Sequence, residues 1–369
     1  MNYSTKKKRS KKQRKWAVLA LLVLLIIYGG LVWYVLPNKG TLPTIENFET
    51  VKRIIPQLTS PTPTPMSLPM SKTLSTDYHI FQSFNNCGPA ALSMALRFYG
   101  IDVSQQELGN ALRPYQVPGG DNDDKSVTLK ELGEKGKDYG LTPYHRPMGN
   151  PDIIKKFIAN DIPVITRTWT KPNEDIGHFR VVKGYNDNTQ TVIQDDSLQG
   201  HDLPYSYSDF NELWKKFNYE YVVLVPSDKI ELAEQILGEN KDETTAWKNA
   251  VKNSEEELRL NPNDIDARFN LSVALYNTGN YEGSIREFEK VESALPFRTL
   301  WYQIEPIEAY FQVGNYDKVL QITQKTLDNE NKAFSELYDL RGKVYTARNE
   351  LDLAEAEFEK AHLYNTSKF

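Results

Sequence analysis

The chain has one cysteine, Cys87, in 369 residues. A single thiol excludes any intramolecular disulfide, so stability must come from packing. The five histidines are scattered without ligand spacing. A structural zinc site is therefore not expected, and no cofactor or metal is assigned. No amphipathic face suited to nucleic acid is present, so nucleic acid is not expected as a partner. Acidic residues are missing from residues 1–15, MNYSTKKKRSKKQRK, which hold eight Lys/Arg; the rest of the chain carries 36 basic against 49 acidic residues, a net charge of −13. Charge of either sign is missing from residues 16–36, WAVLALLVLLIIYGGLVWYVL. At about 1.5 Å rise per residue this run spans roughly 30 Å, the thickness of one hydrocarbon core. It reads as a transmembrane helix, with Trp and Tyr near headgroup depth and the basic block held in the cytoplasm. The run ends without a small-residue cleavage site, so it reads as an anchor and not as a removed signal peptide. Everything beyond about residue 37 is expected outside the cytoplasmic membrane, with the N-terminus inside.

What is present is a folding composition, 40% hydrophobic and 11% aromatic, long enough for two or three domains. Residues 37–75 contain PQLTSPTPTPMSLPMSKT, where Pro recurs with Ser and Thr and no periodic apolar face exists. This reads as an extended linker. A compact region is expected over 76–228, followed by charged, helical sequence over 229–369. In that last part, Gly279-Asn280-Tyr281 recurs 35 residues later as Gly314-Asn315-Tyr316, and Ser284, Phe288 and Val291 return 70 residues later as Ala354, Phe358 and Ala361. A period near 34 residues with helix-turn-helix texture resembles tetratricopeptide repeats, in which a small residue at the helix crossing interlocks with an aromatic. The middle copy carries Thr323 at the aromatic position, and a degraded first copy has Ala250 at the small position and Ser254 at the aromatic one. Repeats of this class usually bind peptides or partner proteins, so a protein partner is expected through this region.

Cys87 precedes Gly88-Pro89, after which Ala90, Ala91, Met94, Ala95 and Phe98 follow the spacing of a buried helix face ended by Gly100. Pro89 is tolerated only in a first turn, which puts Cys87 at the helix N-terminus. There unpaired N–H groups and the helix dipole lower a thiol's pKa. A thiolate nucleophile needs a base and a group that orients the base. His178 lies in EDIGHFRVVKGYND, an alternating strand that ends in the turn Asn186-Asp187-Asn188, and TVIQDDS (191–197) follows. A hairpin about that turn puts His178 opposite residues 196–198. Asp195 and Asp196 point to opposite faces, so only one can reach the imidazole, and a three-residue loop would select Asp196. Gln82, five residues before the cysteine, could add a side-chain amide to the Cys87 N–H as an oxyanion donor. His79, before the expected first ordered segment, His145, without an acid in its own hairpin, His201 in a loop and His362 in the last helix read as surface or satisfied residues. Asp121 and Asp123 have the spacing of a calcium loop, but Ser126 and Leu132 stand where Gly and Glu are required, so a polar turn before a helix at 127–138 is expected instead. The stretches 163–170 and 219–226 read as further strands of one antiparallel sheet.

Gln82, the block Asn86-Cys87-Gly88-Pro89-Ala90-Ala91-Leu92, the block Gly177-His178-Phe179-Arg180-Val181-Val182-Lys183-Gly184-Tyr185 and Asp195-Asp196-Ser197 resemble papain-like cysteine peptidases related to the bacteriocin double-glycine leader peptidases. The resemblance covers 76–228. It implies an α+β papain-like domain in which Gln82 is the oxyanion-hole donor, Cys87 the nucleophile, His178 the base and Asp196 the orienting acid, with Asp195 as the alternative. Leader peptidases of this family are joined to ABC transporters on the cytoplasmic side. This chain has no phosphate-binding Gly-Lys loop and is expected to hold its domain outside, so leader processing is not implied. The expectation is a single-pass membrane protein whose papain-like domain cleaves amide bonds in peptides or proteins, followed by an all-α helical-repeat domain. Two alternatives remain: a non-catalytic peptide- or protein-binding scaffold, and an acyltransferase that resolves the same acyl-enzyme with an amine or thiol.

Overall fold

The computed structural model describes residues 68–115, 117, 121, 127–328 and 331–369. The basic segment, the expected span at 16–36 and most of the expected linker lie outside the described residues, as do residues 122–126 of the rejected calcium loop. Among the described residues no helix is long and apolar enough to cross a membrane.

Alternation of apolar residues over two long segments builds an antiparallel sheet with both faces covered. Its elements run in the order β1 (Ser71–Thr73), α1 (Cys87–Arg97), α2 (Gln105–Leu112), α3 (Leu129–Gly136), β2 (Thr142–Arg146), α4 (Pro151–Ala159), β3 (Val164–Lys171), β4 (Glu174–Asn186), β5 (Thr191–Asp196), β6 (Gly200–Ser206), α5 (Tyr207–Lys215) and β7 (Tyr221–Val225). The spatial order is β2-β7-β3-β4-β5-β6, with β1 paired to β4. Successive strand residues face opposite ways. Ile165, Phe179, Val181, Val222 and Leu224 therefore pack with Leu92, Met94 and Ala95 of α1 and with Leu132 of α3. Val164, Val182, Val223 and Val225 pack on the other face with Ile154, Phe157 and Ile158 of α4 and with Phe210 and Trp214 of α5. These are cores in which truncating a buried Phe to Ala costs about 3–5 kcal/mol.

Two domain boundaries differ from those read in the sequence. Ser71–Thr73, which composition assigns to the linker, pairs with Gly184–Asn186, and Lys72 adds a hydrogen bond to the Ala159 carbonyl (3.0 Å) and an ion pair to Asp161 (2.6 Å). A short edge strand needs no apolar periodicity of its own, because its partner supplies the ladder. At the other end, α6 (Ile230–Leu237) buries Ala233 and Leu237 in the core under α4 and α5, so it completes the α+β domain and does not open the repeats.

The helical region follows as α7 (Glu243–Leu260), α8 (Ile265–Asn277), α9 (Tyr281–Glu289), α10 (Thr299–Tyr302), α11 (Glu305–Gln312), α12 (Tyr316–Asp328), α13 (Ser335–Ala347) and α14 (Leu351–Tyr364). The pairs α8–α9, α11–α12 and α13–α14 are hairpins whose turns carry a left-handed residue at a constant step of 35: Gly279 (φ +80°), Gly314 (φ +76°) and Asn349 (φ +59°). At the first crossing Ser272 Oγ donates to the Ser284 carbonyl (2.8 Å), and at the last the Phe358 ring occupies the space a Cβ on Gly342 would take. Phe269, Phe288, Ile307, Tyr310, Val319, Phe334 and Val344 run through the stack as one core. The degraded first copy is the single long helix α7 and not a hairpin.

Candidate active site

Helix α1 begins at Cys87, and its first turn is left open for chemistry. Asn86, at the N-cap, makes no capping hydrogen bond and its Nδ2 donates instead to Ser83 Oγ (2.8 Å). Ser104, Thr128, Asn150 and Ser206 do cap α2, α3, α4 and α5 with their side chains. The N–H groups of Cys87 and Gly88 have no intrahelical partner, because helix geometry provides none in the first turn. Gly88 is needed there, since a Cβ would strike Val127. Cys87 is 7% exposed and its thiol is hydrogen-bonded to His178.

His178, on β4, donates from Nε2 to Asp196 Oδ1 at 2.8 Å, which leaves Nδ1 as the nitrogen facing the thiol. The register differs from the simple hairpin. Four residues, 187–190, separate the end pair Asn186–Thr191, and a bulge at Lys183 shifts the ladder, so Asp196 lies opposite Arg180 and reaches His178 diagonally. His178 and Arg180, two apart on a strand, share that face. Arg180 is fully buried: Nε donates to Asp196 Oδ2 (2.9 Å), Nη1 to Thr168 Oγ1 and the Trp169 carbonyl, and Nη2 to the Thr170 carbonyl (2.8 Å). Asp196 Oδ1 also accepts from the N–H groups of Leu198 (2.8 Å) and Gln199 (3.0 Å). The carboxylate is thereby held by the chain reversal that follows it. Strand spacing puts Arg180 on the face of His178, but its burial and its bond to Asp196 arise only when β5 pairs with β4.

Asp195 faces the other way. Its Oδ1 binds Lys183 Nζ (2.8 Å) and accepts from the Asp202 N–H (3.0 Å), while Lys183 also meets Asp202 (2.9 Å). Gln82 is fixed at both ends of the residue: its N–H donates to the Ser197 carbonyl (2.8 Å) and its Oε1 accepts from Ser197 Oγ (2.9 Å). Holding the amide oxygen leaves the NH2 end of Gln82 for another acceptor. Cys87, His178 and Asp196 are thus brought together, Gln82 is tied to Ser197 next to Asp196, and Asp195 is not among them.

Two other histidines have partners that local sequence does not reveal. His79 lies within the ordered domain and hydrogen-bonds the Asp196 carbonyl (3.0 Å). His145 has its acid after all, Glu220 at 2.6 Å, supplied across the β2–β7 pairing. His201 lies in β6 and pairs with Asp202 (3.0 Å), and His362 is on α14. Among the described residues no group of three or more His, Cys, Asp or Glu side chains is gathered for a metal ion.

The charges reinforce one another. Burial pushes the Cys87 thiol up, but the His178 hydrogen bond and the positive charges of His178, Arg167 and Arg113 together bring it below its ordinary value. Burial likewise opposes a charged His178, yet the hydrogen bonds and charges of Asp196 and Cys87 outweigh it and raise the imidazole from 6.5 to about 9. Against its own burial, Asp196 is held well below the usual carboxylate range by the His178 hydrogen bond, the charges of His178 and Arg180, and the Leu198 N–H. These shifts run in the direction that favours a thiolate–imidazolium pair backed by a carboxylate, the arrangement that nucleophilic attack on a carbonyl requires.

Residues 68–222 match the model of the Peptidase_C39 like family. Among solved structures, one similar chain is described as a C39-like peptidase from Bacillus anthracis; it is 17% identical, with 42% of this chain and 97% of that chain covered and a TM-score of 0.37. Another is a double glycine motif protease from an AMS/PCAT transporter in complex with the leader peptide, 16% identical, covering 42% and 94%, with a TM-score of 0.33. No curated protein matches the chain. Residues 68–222 form an α+β domain similar to the Peptidase_C39 like family, followed by a helical region that lies outside the family match.

Proposed function

We propose that this domain is a working cysteine peptidase that cleaves amide bonds in peptides or proteins. The single observation that carries the reading is the buried series Cys87–His178–Asp196, with the thiol at an uncapped helix start. The Cys87 thiolate attacks the scissile carbonyl carbon and forms a C–S bond. The carbonyl oxygen, now an oxyanion, is met by the Cys87 N–H and the Gln82 NH2. Imidazolium His178 gives its proton to the leaving nitrogen as the C–N bond breaks, leaving a thioester. Neutral His178 then takes a proton from water, whose oxygen attacks the thioester and releases the acid and the thiolate. Asp196 keeps the ring oriented and favours its charged form, and Arg180 keeps Asp196 ionised.

An amine or thiol in place of that water would make the product a transferred acyl group, by the same residues. The membrane anchor at 16–36, the extracytoplasmic position of the domain and partner recruitment by tetratricopeptide-like repeats belong to the same proposal; they are supported by the charge asymmetry about the apolar run and by the 35-residue step of the helical hairpins. The test of activity is a peptide library incubated with the full chain and with Cys87→Ala. New termini that appear only with intact Cys87 are the expected result, and joined products would identify transfer. Binding without any turnover by either protein would overturn the peptidase reading in favour of a scaffold.

A further inference from the structure

The helical region grips the hairpin that carries His178. Arg298 donates to Asp175 twice, from its backbone N–H (2.9 Å) and from Nη1 (2.7 Å). Tyr302, at the end of α10, lies so close to Gly177 that a Cβ there would sit 3.2 Å from the ring. Gln303 Nε2 donates to the Lys216 carbonyl (3.0 Å). Two of these contacts fall on Asp175 and Gly177, within three residues of His178 on β4.

The same tyrosine completes an enclosure for a charge. Arg167 on β3 pairs with Phe179 in the ladder, and its guanidinium lies 4.8 Å from the Tyr302 ring centroid, 5.0 Å from Phe179 and 5.1 Å from Phe217. Phe179 and Phe217 come from the C39-like domain, while Tyr302 comes from the helices. Beyond the rings, Arg167 borders a cavity of about 150 Å³ between the two regions, which also exposes His145, Glu220 and Glu305 to it. Removing one ring would loosen the place of the guanidinium, because an arginine over aromatic faces is held by them and by exclusion of water.

We propose that Tyr302 and Arg298 are positioning residues of the active site: the helical region, by closing the ring cage around Arg167 and clamping the Asp175–His178 end of β4, holds the Cys87–His178 pair in its reactive geometry. The cation it steadies is one of the charges that favour the thiolate, with Arg113 and His178, while Asp196 stands behind the imidazole. The helices are then part of the catalytic unit as well as any surface they present to a partner. This inference rests on Cys87 and His178 acting as a pair.

Cys87 is the only thiol in the chain, so alkylation by iodoacetamide reports on it alone. In the full chain, the pH midpoint of the alkylation rate is compared for wild type, Tyr302→Ala, Tyr302→Phe and Arg298→Gln. Tyr302→Phe keeps the ring and is expected to keep the wild-type midpoint. Tyr302→Ala is expected to raise it by about half to one pH unit, which slows alkylation on the acid side by roughly three- to tenfold. Arg298→Gln should move it in the same direction by a smaller amount. A wild-type midpoint in a folded Tyr302→Ala protein overturns the inference; if that variant unfolds, an unchanged midpoint in folded Arg298→Gln overturns it instead. An ordinary thiol profile in the wild-type chain would defeat the Cys87–His178 pair itself, whereas a depressed profile insensitive to both substitutions defeats only the role given to the helices.

Discussion

Exchanging Asp196 for Asn removes one negative charge with almost no change in volume, and it separates the orienting acid from its sequence neighbour. The elevation of His178 from 6.5 to about 9 corresponds to roughly 3 kcal/mol of preference for the imidazolium form. Asp196 is the carboxylate behind that preference, sharing it with the Cys87 thiolate. Its neutralisation should therefore lower kcat/KM by roughly 100-fold. A second effect follows from burial. Arg180 loses its counter-charge while keeping its bonds to Thr168 and to the Trp169 and Thr170 carbonyls, and breaking a buried pair in this way costs about 3–5 kcal/mol of stability. Asp195→Asn is the control, because it too weakens a buried ion pair. Lys183 retains Asp202 at 2.9 Å, so a stability loss of about 1–3 kcal/mol is expected, with kcat/KM of the folded protein within about threefold of wild type. The assay is kcat/KM on the best library peptide, with urea midpoints measured alongside so that rate is read only on folded protein. Equal losses of rate in the two variants, or a larger loss in Asp195→Asn, would refute the assignment of Asp196 as the orienting acid.

The protonation states predict a bell-shaped rate profile. Its acid limb marks protonation of the depressed Cys87 thiolate, and its alkaline limb, near pH 9, marks loss of the His178 proton needed by the leaving amine; a flat rate through pH 10 would contradict a catalytic imidazolium. From the charge asymmetry about residues 16–36, protease added to spheroplasts should cut the helical region, and complete protection would contradict the proposed orientation.

Much of the site is legible in the chain because its signals are local. Pro89 and the apolar spacing from Ala90 to Phe98 identify the start of α1, and a thiol at that start is a short-range fact. Alternation likewise identifies β3, β4 and β7, and the turn residues Gly279 and Gly314 identify two helical hairpins, since only a left-handed residue ends those helices so sharply. The family likeness drawn from the motifs around Gln82, Cys87 and His178 agrees with the family model over 68–222.

The remainder depends on which distant segments meet. A bulge at Lys183 leaves no local trace, yet it decides that Asp196 stands opposite Arg180 and that Asp195 turns to Lys183. Glu220 finds His145 only because β7 pairs with β2, and residues 71–73 become a strand only because β4 leaves an unpaired edge there. Buried cations were the least legible class. Arg167, Arg180 and Lys183 are charged residues that local pattern assigns to solvent, and they can be buried only where tertiary contacts bring acceptors, carboxylates or aromatic faces to them. Sequence by itself determined the nucleophile's mount and the segments available to surround it. Tertiary structure decided which carboxylate holds the imidazole and which helices stand against its strand, because both outcomes are set by pairing energies between residues far apart in the chain.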